Sequence, residues 1–355
     1  MAEVGIKSLL LYDFPENLLK KNWILLKVFI KEGILLSDWG VFTKNRKVGG
    51  SLVIPDSLSK GLKELEFDIA VNDYSPRSYD VVVVIKNCSS LEWAIKEKRA
   101  GRIKTLIAGP FIATFPYENK GILYSPEIDG LLFLSEWHRR LFLKNYLVKP
   151  PHSSIWYSGV DSNYWKPRFG SSSKIFNKLG IKDNISRPRV LIYIKAKANN
   201  IYPEINTILR DYGLNYSLIE YGSYTPEMFK SELEKSDLAV FISQSETQGI
   251  ALLEAWSMDV PTLVWNPQCM KYFGQDYQEA SSCPYLNDSC GVDFLDLNEF
   301  KLKLNLILQG KIKFSPRAYV LDKFTLKKTA QLFINIIKDL GGSDKSENLS
   351  HHTFL

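Results

Sequence analysis

Two carboxylates eight residues apart, Glu246 and Glu254, lie on either side of Gly249. Glu246 falls in the polar stretch from 243 to 249, just after the apolar run from 238 to 242. Glu254 falls about one turn into an apolar helical stretch from 250 to 258, which Asp259 and Pro261 end. A second apolar run, 262 to 265, follows. Strand, loop, helix and strand in this order make a βαβ unit of a parallel sheet. Ligands of open α/β sheets bind beyond the carboxyl ends of the strands. The free N–H groups of Gly249, Ile250 and Ala251 would face that crevice and suit a phosphate, and glycine admits close approach. Carboxylates beside an anion site make chemical sense as acceptors for the hydroxyls of a sugar or ribose attached to it. With 20 Glu in the chain, this spacing arises about once by chance. Its weight comes from the strand–loop–glycine–helix context.

The elements that must position these groups form two series. In the first, 8–12 and 67–71 read as short strands, and 22–30 and 54–65 as helices. The run Tyr-Asp-Val-Val-Val-Val-Ile at 79–85 has the continuous β-branched character of a strand buried on both faces. A helix over 91–102 carries Lys96, Lys98, Arg99 and Arg102 on its polar side, which is either a solvated face or a lipid-facing one. A strand at 103–108 ends in Gly109-Pro110 and aims the loop from Gly109 to Pro116 at a cleft. A strand at 129–135 opens a helix at Ser135, a candidate N-cap. His138 and Arg139 on that helix either reach the cleft or lie on the helix surface. A strand at 153–156 closes the series.

The second series opens with the strand 189–195, where Lys195 and then Lys197 sit at the carboxyl end. A helix (201–212), a strand (217–220) and the turn Tyr221-Gly222-Ser223-Tyr224 follow, then a helix starting at Pro226. Beyond the Glu246/Glu254 unit, 268–289 reads as irregular, 290–295 as extended, and 297–309 and 324–340 as helices. The tail from Gly341 is polar and reads as disordered.

These residues resemble a known family. Ser243, Glu246, Gly249, Glu254 and Pro261 fall where retaining GT-B glycosyltransferases, family 4 (group 1) in particular, carry their Glu-x7-Glu motif. Asp259 departs from the glycine usual there. Ser158-Gly159-Val160-Asp161, followed by Tyr164-Trp165-Lys166-Pro167, is similar to the family's crossing segment between domains. The resemblance implies an α/β GT-B fold, two Rossmann-like domains facing a central cleft. The divisions are 1–160 for the acceptor domain, 161–188 for the crossing and linker, 189–322 for the nucleotide-sugar domain, 323–340 for a helix returning to the first domain and 341–355 for the tail. It implies transfer of a hexose-type sugar from a nucleotide-diphosphate donor to a glycan or lipid-linked acceptor, with retention and no metal or other cofactor. Glu246 and Lys195 take the catalytic roles. Glu254, Gly249, Ile250, Thr247, Ser243, Lys197, Tyr221 and Tyr224 hold the donor, and the tyrosines either stack on the base or pack in the core. Gly109, His138 and Arg139 are cleft candidates. No Gly-Gly pair follows the first strand; Gly49-Gly50 is either the family's glycine loop or an ordinary turn. Other readings are a non-catalytic nucleotide-sugar-binding protein and another GT-B enzyme such as a nucleotide-sugar epimerase.

Composition bounds these readings. A chain of 355 residues with 45% hydrophobic content suits two domains. No apolar run is long enough to span a bilayer, no secretory leader pattern opens the chain, and Cys88, Cys269, Cys283 and Cys290 have no metal-ligand spacing. They read as reduced thiols, with Cys283 and Cys290 close enough in sequence to meet, which points to the cytoplasm. The net charge of +6 is uneven: residues 1–160 hold 22 Lys+Arg against 17 Asp+Glu. That excess allows peripheral membrane contact by the basic first half, whereas no nucleic-acid module is visible.

Overall fold

The computed structural model describes residues 7–13, 50–167, 188–195 and 201–342. The helix expected over 22–30, Gly49, Lys197, residues 168–187 and the tail beyond 342 lie outside them. Among the described residues no helix is long and apolar enough to cross a membrane.

The first series contains β1 (Ser8–Leu11), α1 (Gly50–Glu64), β2 (Ala70–Val71), β3 (Tyr79–Lys86), α2 (Cys88–Arg99), β4 (Ile103–Phe111), β5 (Gly130–Phe133), α3 (Glu136–Lys144) and β6 (His152–Ile155). The strands form one parallel sheet in the order β2-β1-β3-β4-β5-β6. Strand alternation divides the valine run between two cores. Val82 and Val84 pack with Leu91, Ala94 and Ile95 of α2, and Val81, Val83 and Ile85 with Ile54, Leu58 and Leu62 of α1. Asn87 starts α2 by accepting the Ser89 N–H at 2.9 Å. Two cations of α2 meet acids, Lys98 with Asp129 and Arg99 with Glu127 at 2.7 Å, and Arg102, just past its end, pairs with Glu97. Ser135 takes the N-cap position its sequence suggests, but makes no side-chain capping bond. Its hydroxyl is buried without a partner.

The second series contains β7 (Arg189–Ile194), α4 (Ile201–Asp211), β8 (Asn215–Glu220), α5 (Pro226–Lys235), β9 (Leu238–Ile242), α6 (Ile250–Ser257), β10 (Thr262–Trp265), β11 (Cys269–Tyr272), β12 (Gln275–Gln278), β13 (Gly291–Phe294), α7 (Leu297–Leu308), α8 (Pro316–Lys323) and α9 (Leu326–Gly342). Five strands form a second parallel sheet, β13-β10-β9-β7-β8. The stretch 268–289, read as irregular, contains the antiparallel hairpin β11–β12 around Gly274. Its second strand, Gln-Asp-Tyr-Gln, has no apolar alternation to reveal it. The final helix begins at Leu326 and continues through Gly342, past the start of the polar tail, and a separate helix, α8, precedes it.

The chain between the sheets is anchored on both sides. Val160 N–H donates to the Phe324 carbonyl at 2.8 Å and bridges to Thr325. Arg317 of α8 donates to the carbonyls of Trp165, Ser257 and Ser162. From α9, Ala330, Phe333, Ile334 and Ile337 enter the core of the first sheet, beside α1. Cys283 and Cys290 are free and buried in one core, where burial pushes both thiols up to about 12.

Candidate functional site

A cleft of about 330 Å³ lies between the two sheets. Ile54, Phe111 and Leu134 line it from the first series and Trp165 from the crossing segment. The second series supplies the loop and helix start from Glu246 to Ala251, Glu254, Lys195, Tyr193, Tyr221 and Tyr224. These groups converge because β7, β8 and β9 are parallel neighbours, so their carboxyl ends open on the same side.

Glu246 is the best-held group in the cleft. Lys195 Nζ lies 2.6 Å from its Oε2, and Ser243 Oγ donates to its Oε1 at 3.1 Å. The peptides on both sides of it are fixed as well: its N–H donates to Ser281 O at 2.8 Å, and its carbonyl accepts from Trp137 Nε1 at 3.0 Å. Lys195 leaves the end of β7, and its ammonium also stands over the Tyr221 ring, 5.1 Å from the centroid. Such a contact adds a modest electrostatic attraction.

Gly249 starts α6 at φ +81°, in the left-handed region that L side chains rarely adopt. A Cβ there would meet Leu252 Cδ1 at 3.0 Å. No side chain caps this helix start. The N–H groups of its first turn are the donors that an anion in the cleft would take. Thr247 lines the wall beside them. Gln248 is buried and makes two hydrogen bonds with the backbone of Ser158: it donates to the carbonyl at 2.7 Å and accepts the N–H at 3.0 Å. This amide fastens the loop to the crossing segment.

Glu254 faces the cleft from within α6, and among the described residues no cation or hydrogen-bond donor reaches its carboxyl. Burial raises its pKa to about 8. At neutral pH it is chiefly a neutral carboxyl, able to donate one hydrogen bond as well as accept. Nearby, the hydroxyls of Tyr193 and Tyr224 are 3.2 Å apart. Burial, the largest cause, raises the pKa of both phenols. Tyr221 is about half exposed at the cleft mouth, whereas Tyr224 also packs against Phe229.

Three cleft candidates stand elsewhere. His138 is buried among Phe133, Trp137 and Phe142; Nε2 lies 3.3 Å from the Thr114 carbonyl, and burial lowers its pKa. Arg139 forks onto Glu136 at 2.8 and 2.9 Å and donates to Ser153 Oγ. These positions are one and two residues past Trp137, so the helix turns them away from the Glu246 loop. Gly109 sits in β4 with φ +108°, where a Cβ would meet the Leu132 carbonyl at 2.5 Å. Its lack of a side chain serves strand packing, and Phe111 is the residue of β4 that lines the cleft.

Trp137, Gln248, Tyr193, Ser281 and Ser282 escape a reading of the sequence. Ser282 Oγ donates to Ser243 O at 2.6 Å from a segment without periodicity. The one available signal was Trp137, a large aromatic at the start of a helix, and it is indistinguishable from core.

No protein-family model and no curated protein matches the chain. Among solved structures, the chain is similar to Anabaena HepE in complex with UDP and glucose, at 12% identity and TM-score 0.52, over 95% of this chain and 100% of that one. The fold is GT-B. The chain also matches a glycosyltransferase from Rickettsia africae, at 12% identity and TM-score 0.49, over 95% of this chain and 99% of that one. The apo lipopolysaccharide outer core galactosyltransferase WaaB matches at 14% identity and TM-score 0.49, over 83% and 82%. In this GT-B chain, the Glu246 loop and the start of α6 form the second-sheet wall of the cleft.

Proposed function

We propose that this chain is a glycosyltransferase that moves a hexose-type sugar from a nucleotide-diphosphate donor to a glycan or lipid-linked acceptor, retaining the anomeric configuration without a metal. One observation carries the reading. The Lys195–Glu246 ion pair, 2.6 Å long, stands beside the uncapped start of α6 in the interdomain cleft. A nucleoside diphosphate brings negative charge that the helix start and Lys195 stabilise, most of all as the diphosphate leaves. As Lys195 turns to the diphosphate, Glu246 keeps its charge beside the sugar. There it accepts from hydroxyls and stabilises an oxocarbenium-like centre. Glu254 bonds the ribose hydroxyls, and the half-exposed Tyr221 ring offers the base a surface to stack on. The HepE structure, which was solved with UDP and glucose, is consistent with a donor of this class. Peripheral contact with a membrane carrying a lipid-linked acceptor would come through the basic first series.

The test is nucleotide release from a panel of uridine, guanosine and adenosine diphosphate sugars, with and without glycan acceptors. Glu246→Ala is expected to lower turnover by about a thousandfold, in the range for loss of a single electrostatic stabiliser, with the thermal midpoint little changed. Full activity in a folded Glu246→Ala chain would overturn the assignment. Tight nucleotide binding with no turnover on any acceptor would favour a binding protein instead.

A further inference from the structure

We infer that Trp137, on the first-series side of the cleft, is a positioning residue for Glu246, and that the β11–β12 hairpin is the strap that holds it in place. The indole Nε1 donates to the Glu246 carbonyl at 3.0 Å across 109 residues of sequence. On the preceding peptide, the Glu246 N–H donates to Ser281 O at 2.8 Å. The loop that carries the carboxylate is thus clamped from two directions, by a side chain of α3 and by the segment leaving the hairpin. Ser282 adds a second hold on this loop through Ser243 O and Gln244 O.

The strap itself bridges the halves. Met270 and Ala280 form one small core with Phe115 and Trp137. Phe115 touches the rings of Tyr272 and Tyr277 at centroid distances of 5.4 and 4.6 Å. Tyr285, just beyond, donates to the Leu134 carbonyl of the first series. If the two halves separate, the Trp137 bond breaks, because its donor and acceptor belong to different halves. Glu246 therefore has its full set of restraints only when the halves are together. The loop's posture is coupled to closure, as substrate-driven closure in such clefts requires. The value of this tether for catalysis rests on the transferase reading of Glu246. Its physical existence does not.

The test replaces one atom group. Substituting Trp137 with β-(3-benzothienyl)alanine exchanges the indole N–H for sulfur at nearly constant shape, and Trp137→Phe removes the donor more crudely. Amide hydrogen exchange of the full chain without ligand is read at residues 244–248, with Val82–Val84 as the control strand. Loss of a hydrogen bond predicts exchange about tenfold faster in the loop and unchanged exchange in the control. A 4-fluorotryptophan at 137, which keeps the N–H, is expected to retain natural protection. Unchanged loop exchange in the sulfur isostere overturns the proposal, as does an increase spread evenly over the chain. No donor is present, so failure of the tether and failure of the transferase reading are told apart.

Discussion

At the scale of single residues, the site is a contrast between two carboxyls on one short stretch. Glu246 has a cation and a hydroxyl on its two oxygens, so its carboxyl group is fixed in place. Glu254 has no described partner, and burial moves its pKa from the usual 4.5 to about 8. The sign of the linkage follows. Between those values the folded chain keeps a proton that the unfolded chain releases, so stability falls as pH rises from about 4.5 to about 8. Glu254→Gln, which stays neutral, is expected to flatten this part of the profile relative to the natural chain. Thermal unfolding from pH 4 to 9 measures it, and parallel profiles would show that Glu254 ionises freely in the fold.

At the scale of elements, the decisive feature is the turn from β9 into α6. Gly249 supplies a left-handed residue at the start of the helix, and any L side chain there costs about 1–2 kcal/mol. Gly249→Val also brings its side chain against Leu252. The expected result is a thermal midpoint lower by a few degrees and a larger loss in nucleoside-diphosphate affinity, because the donors of the first turn shift. Differential scanning calorimetry and titration calorimetry read the two effects separately. Gln248 belongs to the same turn. Gln248→Ala leaves the buried N–H and carbonyl of Ser158 without their partner. A loss of about 2–6 kcal/mol in urea unfolding is expected, from about 1–3 kcal/mol for each stranded group.

At the scale of the whole molecule, the two sheets are not independent. Helix α9 follows the second sheet in sequence but buries Phe333 in the core of the first, with its ring 5.4 Å from that of Trp156. Phe333→Ala is expected to cost about 3–5 kcal/mol. The loss should appear as weakened protection of β3, read by hydrogen exchange. A loss confined to the second sheet would contradict this packing.

The sequence by itself determined the local framework. The valine run of β3, the apolar run of β9 and Pro261 beyond α6 are short-range patterns whose period and stop signals survive in any context. The Glu246/Glu254 spacing was readable for the same reason: both sit on one strand–loop–helix stretch. Only the tertiary structure decided which groups meet. Lys195 reaches Glu246 because β7 and β9 are neighbours, which no local pattern states. His138 and Trp137 are adjacent in sequence, yet one is sealed in the core and the other reaches across to the Glu246 loop. A helix rotates successive side chains by about 100°, so burial against one neighbour or another depends on a surface that only the fold creates. The hairpin from Cys269 to Gln278 was hidden for a related reason. Its partners are aromatic residues of the other half, so its stabilising contacts leave no periodicity in its own residues.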